Sequence, residues 1–90
     1  MNPTATRTVT IVNDLGLHLR AAGALVQVAS RFDSEVWLRR ANAEANAKSI
    51  MSVLSLAASK GTKLDVVAQG SDAQAAMQAV AELIDGGFKH

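Results

Sequence analysis

The chain has no cysteine and no tyrosine, a single tryptophan, two phenylalanines and one proline in 90 residues. Without cysteine there is neither a disulfide framework nor a thiolate metal site, and a reducing compartment is the natural setting. Only two histidines are present, His18 and His90, with no partner at helical spacing, so a histidine metal site is not expected either. So few aromatics, with no stripe of basic residues, argue against base stacking on an RNA-binding sheet. Nine basic and eight acidic residues leave a net charge of +1, scattered along the chain. Nucleic acid is therefore not an expected partner. No apolar run approaches membrane-spanning length, and Met1 to Arg7 lacks the basic-then-apolar order of a signal peptide. The expectation is a cytoplasmic protein with no membrane insertion.

What is present is apolar and small. Alanine, valine and leucine dominate a 49% hydrophobic content, which suits a compact globule and excludes a disordered chain. Ninety residues make one domain, 1–90, with a modest core. Thr8 to Val12 alternates polar and apolar and reads as a first strand. Ala22, Leu25, Val26 and Ala29 recur at helical spacing, which predicts a first helix from about Leu19 to Ser30. Ser34 to Arg39 alternates again, and the turn candidate Ala41-Asn42 leads into a short third strand over Ala43 to Ala45. Asn46 is placed to cap a second helix from Ala47 to about Ala57, with Val53 and Ala57 toward the core. Lys63 to Ala68 reads as a fourth strand facing Leu64, Val66 and Ala68 inward. Ser71-Asp72-Ala73-Gln74 has capping-box spacing before a third helix whose apolar side is Ala73, Ala76, Met77, Val80, Ala81 and Ile84, ending at Gly86-Gly87. The order βαββαβα is met most economically by one sheet with all helices on one face, an α+β fold. Glu35, Trp37, Arg39 and Asp65 then fall on the solvated face.

Chemistry concentrates in Gly16-Leu17-His18-Leu19-Arg20-Ala21-Ala22. His18 stands near the N-cap of the first helix, where backbone N–H groups without intrahelical partners and the helix dipole favour an anion. An imidazole nitrogen there can attack a phosphoryl group, and the Arg20 guanidinium suits its oxygens. The competing reading of a lone histidine is a ring that only caps the helix. The glycine, leucine and arginine around it turn the reading toward phosphoryl transfer, with Gly16 giving a tight turn and Asn13 and Asp14 forming it.

These residues resemble the Gly-Leu-His-x-Arg-Pro-Ala active-site stretch of the HPr-type histidine phosphocarriers of the bacterial phosphoenolpyruvate-dependent phosphotransferase system. Ala47-Lys48-Ser49-Ile50-Met51 resembles the family's second motif, around its regulatory serine, and Lys60-Gly61-Thr62 the turn before its last strand. The likeness runs from Thr8 to Phe88 and departs at Ala21, which stands where the family has proline. A first-turn proline presets φ; alanine keeps the helix but loosens that restraint.

The resemblance implies an open-faced β-sandwich, a four-stranded antiparallel sheet with three helices on one face. It implies that His18 accepts a phosphoryl group at Nδ1 from enzyme I and passes it to an enzyme IIA partner, with Arg20 steadying the phosphate and no cofactor needed. Ser49 becomes a candidate phosphoserine for an HPr kinase/phosphorylase. Leu17, Leu19, Ile50, Met51 and Leu54 form a candidate exposed docking patch, because one short helix apolar on nearly all sides is hard to bury in so small a domain. Methionine and leucine there suit a carrier that fits several partners in turn, which also favours a monomer. Gly86-Gly87-Phe88 and Phe32 to Val36 look like the nitrogen-related branch of the family, whereas Lys48 to Met51 looks like the kinase-regulated sugar carriers. A different class of function, a docking regulator of kinases or transcription factors, needs the apolar patch but not His18.

Overall fold

A computed structural model describes residues 3–89; His90, considered above as a metal ligand, lies outside them. The elements are β1 (Thr4–Thr10), α1 (Leu19–Ala29), β2 (Glu35–Arg40), β3 (Ala43–Asn46), α2 (Ile50–Ser55), β4 (Lys63–Gln69) and α3 (Ala73–Asp85). The strands form one antiparallel sheet in the order β1-β4-β2-β3. Its register builds two kinds of row. Ala5, Ala68 and Val36 line up across three strands, as do Val66, Leu38 and Ala45, and these buried rows face the helices. Thr6, Val67, Trp37 and Asn46 form a row of the opposite face, as do Thr8, Asp65, Arg39 and Glu44, joined by a Thr8–Asp65 hydrogen bond and an Arg39–Glu44 ion pair. The period of two thus separates core from solvent over most of the sheet. Arg7 of the edge strand β1 departs from it, sharing a core-side row but exposed and paired with Asp85, and Val67 is buried on the outer face beside Trp37. Leu25 and Ala22 of α1, Val53 of α2, and Met77, Val80 and Ile84 of α3 complete one core.

Three elements differ at their ends from the sequence reading for reasons that local contacts explain. β1 begins at Thr4, four residues early, because it pairs along the whole of β4; with only Ala5 to mark its inward side, its first half carries a weak apolar signal. Ile11 is buried but bonds to the Gly61-Thr62 turn instead of a strand, and Val12 turns outward.

The second helix is shorter than expected, and its cap is Ser49, not Asn46. Asn46 is committed to β3 opposite Trp37, and its Oδ1 accepts the Lys48 N–H at 2.9 Å. Ala47 opens the turn that follows, its N–H on Val36 O. Ser49 Oγ then accepts from Ser52 N at 3.3 Å. At the other end Ala57 takes φ +50 and is exposed, while Leu56 and Ala58 go inward. A left-handed residue after a helix is usually glycine. Here the Arg40 guanidinium donates to Leu56 O at 2.9 Å and covers the free carbonyls.

The third correction concerns the capping box. Asp72, not Ser71, is the N-cap of α3, and its side chain makes no cap hydrogen bond. The carboxylate reaches across to the loop before β2, accepting from the Ser34 hydroxyl and from the backbone N–H groups of Asp33 and Ser34, both at 2.9 Å. The Ser34 hydroxyl, with the Asp33 amide, holds the Asp72 carboxyl below its ordinary range. The far end of α3 closes as a Schellman motif. Gly87 N–H bonds to Ile84 O and Phe88 N–H to Leu83 O, with Gly87 left-handed, and this brings Phe88 back against the core.

Candidate functional site

The loop from Asn13 to His18 determines how His18 is presented. Gly16 has φ +65, and a Cβ on it would run into Ala58 O, so only glycine fits this close approach. Leu17 follows with its N–H on Ala58 O at 2.9 Å and its side chain in the core. That anchor fixes the chain just before it enters α1.

His18 is the N-cap of α1, with extended backbone (φ −79, ψ 178) and a half-buried side chain. Its carbonyl accepts the first helical bond, from Ala22 N–H. Its ring Nδ1 accepts from Arg20 N–H at 3.2 Å. That bond assigns the lone pair to Nδ1 and, in the neutral ring, the proton to Nε2. The nitrogen with the free electron pair therefore faces the positive end of the helix dipole, among donors that have no intrahelical partner. The first turn contains no acidic residue to compete for those donors. Arg20 is exposed and, among the described residues, makes no ion pair, so its five donors stay available two residues from the ring. Ala21 occupies the third helical position, buried, in a helix that starts at Leu19.

An open cleft of about 440 Å³ lies beside the ring, with Leu15, Ala21, Ala24 and Phe88 in its walls along with His18 and Arg20. The chain's C-terminal segment is thus brought to the histidine by the Schellman turn.

The proposed docking residues are placed unequally. Leu19 and Met51 are 66% and 76% exposed, Ile50 is 37% exposed and Leu54 is half-buried, all on α1 and α2, which lie against each other. Leu17 does not belong with them. At 5% exposure it is a core residue, because the Gly16 turn and the Ala58 contact rotate it inward. Sequence reasoning missed Leu15, which is 76% exposed on the other side of His18. Its signal was an apolar residue in the middle of an otherwise polar turn, Asn13-Asp14-Leu15-Gly16. Ser49 sits half-buried at the start of α2 next to Lys48, whose Nζ donates to Phe32 O at 2.8 Å and ties α2 to the end of α1. Among the described residues no helix is long and apolar enough to cross a membrane.

Comparison with known proteins places this arrangement. The family model described as "PTS HPr component phosphorylation site" matches residues 5–86. The phosphocarrier protein HPr of Neisseria meningitidis serogroup A is 44% identical over 82 residues, 91% of this chain and 92% of that one. The phosphocarrier protein NPr of Shewanella violacea is 40% identical over 82 residues, 91% of this chain and 90% of that one. The crystal structure of HPr from Thermoanaerobacter tengcongensis superposes with a TM-score of 0.89 at 40% identity, covering 93% of this chain and 94% of that one. A chain matched over nearly its whole length, with the same βαββαβα sheet and helices, belongs to the HPr family of phosphotransferase-system phosphocarriers.

Proposed function

We propose that the chain is a phosphoryl relay protein that accepts a phosphoryl group on His18 Nδ1 from phosphorylated enzyme I and gives it to an enzyme IIA. The observation that supports this most strongly is the His18 Nδ1 lone pair held at the N-terminus of α1, 3.2 Å from the Arg20 amide, with the Arg20 side chain unpaired.

In the transfer, the Nδ1 electron pair attacks phosphorus on the phosphohistidine of enzyme I. The new P–N bond forms as the old one breaks, and the leaving pair returns to the donor's ring. Nε2 keeps its proton. The Arg20 amide is freed from Nδ1 and, with its neighbours and the guanidinium, takes the phosphoryl oxygens. Positioning and charge stabilisation are all the carrier needs to supply, because the partner contributes the second histidine. The reverse geometry discharges the group, and the protein works as a shared substrate of two enzymes in the cytoplasm.

Leu19, Ile50, Met51 and Leu54 give partners an apolar surface beside the ring. A phosphoryl group on Ser49 would be tolerated by the α2 N-terminus and would put negative charge at the edge of that surface, so an HPr kinase/phosphorylase acting there weakens docking without unfolding the domain. A monomer suits a protein that shows one face to successive partners.

The test is a two-step transfer. The protein is charged with enzyme I and phosphoenolpyruvate, separated, and mixed with enzyme IIA of a sugar system or of a nitrogen-related system. Loss of the phosphoryl group to one of them supports the relay and identifies its branch. A charged protein that discharges to neither, or enzyme I binding unchanged by His18→Ala with no charging of the wild type, favours a docking regulator instead.

A further inference from the structure

Two hydrogen bonds converge on one carbonyl immediately before the histidine. Asn13 Nδ2 donates to Gly16 O at 2.8 Å, and the His18 backbone N–H donates to the same oxygen at 2.9 Å. Gly16 N–H returns a bond to Asn13 O at 3.2 Å. The Asn13 Oδ1, by contrast, is buried with no hydrogen-bond partner. A buried unpaired acceptor is costly, and turning the amide over would set an oxygen against the Gly16 carbonyl and leave the bracket unmade. The side chain is therefore held in the one orientation that serves Gly16. A residue needed only to form a turn does not require this, since aspartate or serine turns the chain without burying an orphan.

From the other side, the loop is held by Ala58, whose oxygen accepts from Leu17 N–H and leaves no space for a Cβ at Gly16. Asn13 and Ala58 thus grip the single Gly16–Leu17 peptide from its two sides, one at the carbonyl and the other at the N–H, and His18 leaves this grip directly into the N-cap.

We infer that Asn13 is a positioning residue for phosphoryl exchange at His18. By fixing the Gly16 carbonyl it fixes the His18 N–H, and through the backbone it keeps the ring turned with Nδ1 on the Arg20 amide. The inference rests on the relay reading of His18 and adds to it a device for rigidity. Where relatives carry a proline, the first turn of α1 is restrained from the helix side; with Ala21 in that place, Asn13 restrains the same junction from the loop side.

The test compares wild type, Asn13→Ala, Asn13→Asp and the double variant Asn13→Ala/Ala21→Pro. Asn13→Asp keeps the size but loses the donor, and it serves if the alanine variant does not fold. The first readout is the long-range proton–nitrogen NMR signature of the neutral His18 ring, taken at the alkaline end of a pH series. Wild type should show Nδ1 without a proton, and both single variants a mixture of tautomers. The second readout is phosphoryl uptake from enzyme I and phosphoenolpyruvate. The single variants should lose about tenfold in kcat with KM for enzyme I unchanged, since the apolar surface is untouched. The double variant should recover both kcat and the ring signature. A ring signature and kcat unchanged in the single variants overturn the inference, and so does a loss of kcat that proline leaves unrestored. Wild type that takes up no phosphoryl group refutes the relay reading itself, while the ring signature still tests the positioning.

Discussion

At the N-terminus of α1 a single imidazole nitrogen combines an available electron pair with a field that welcomes negative charge. In the proposed transfer, Arg20 is the only side chain of that first turn able to follow the phosphoryl oxygens, because the amides are fixed and the guanidinium is not. Arg20→Ala should lower phosphoryl uptake about tenfold to a hundredfold in kcat and leave the melting temperature within a degree or so, as expected for an exposed residue without a partner. Stopped uptake assays with labelled phosphoenolpyruvate read the first quantity and calorimetry the second. At Gly16 the effect is steric. Gly16→Ala forces a Cβ onto Ala58 O in a left-handed residue and should destabilise the domain by about 2 kcal/mol or more, seen in urea unfolding. The placement of this candidate site was readable in the sequence, because the helical spacing after His18 puts it at the N-cap with Arg20 in the first turn, and Gly16 marks the tight turn before it. Asn13 and Leu15 were not, since an asparagine in a turn looks like any turn former and only its contacts show which carbonyl it holds.

Among the elements, α2 is the one whose ends the sequence least revealed. Its six residues are set by what lies on either side: Asn46 is drawn into β3, and Ala57 bends back left-handed. Ala57→Gly should relieve that conformation and stabilise the protein by about 1 kcal/mol, a rise of about 4–8 °C in melting temperature. A fall would mean that the Arg40 cap already accommodates the alanine fully. At the start of α3, the Asp72 carboxyl is lowered from the ordinary value of 3.8. A carboxyl depressed in the fold contributes stability above its unfolded pKa and loses it as pH falls through the folded one. Asp72→Asn should therefore melt earlier than wild type at pH 7, and the two curves should converge below about pH 4. The long periodic elements α1 and α3 were legible because their apolar stripes repeat over three turns. The Asp72 bridge was not, because it joins positions 38 and 39 residues apart and borrows a side chain whose local spacing points to a helix cap.

For the molecule as a whole, one sheet face packs against the helices and the other carries Trp37 among threonines and charges, so the docking surface proposed here falls to the exposed apolar residues of α1 and α2. Met51 is its most exposed member on α2, and Met51→Asp should raise the KM for enzyme I severalfold with kcat and melting temperature little changed. Ser49→Asp should act in the same direction, keeping a capping oxygen while adding charge; a large loss of thermal stability would speak against a regulatory role. Sheet and helix order followed from periodicity, whereas strand order and the exposure of Leu19 and Met51 against the burial of Leu17 depend on contacts far apart in the chain. The central claim, that His18 carries the phosphoryl group, is tested most directly by intact mass after incubation with phosphoenolpyruvate and an enzyme I active on its own carrier. One added phosphoryl group on wild type, lost in acid and absent from His18→Ala, is the result expected here. No addition to the wild type, or an equal addition to His18→Ala, would contradict it.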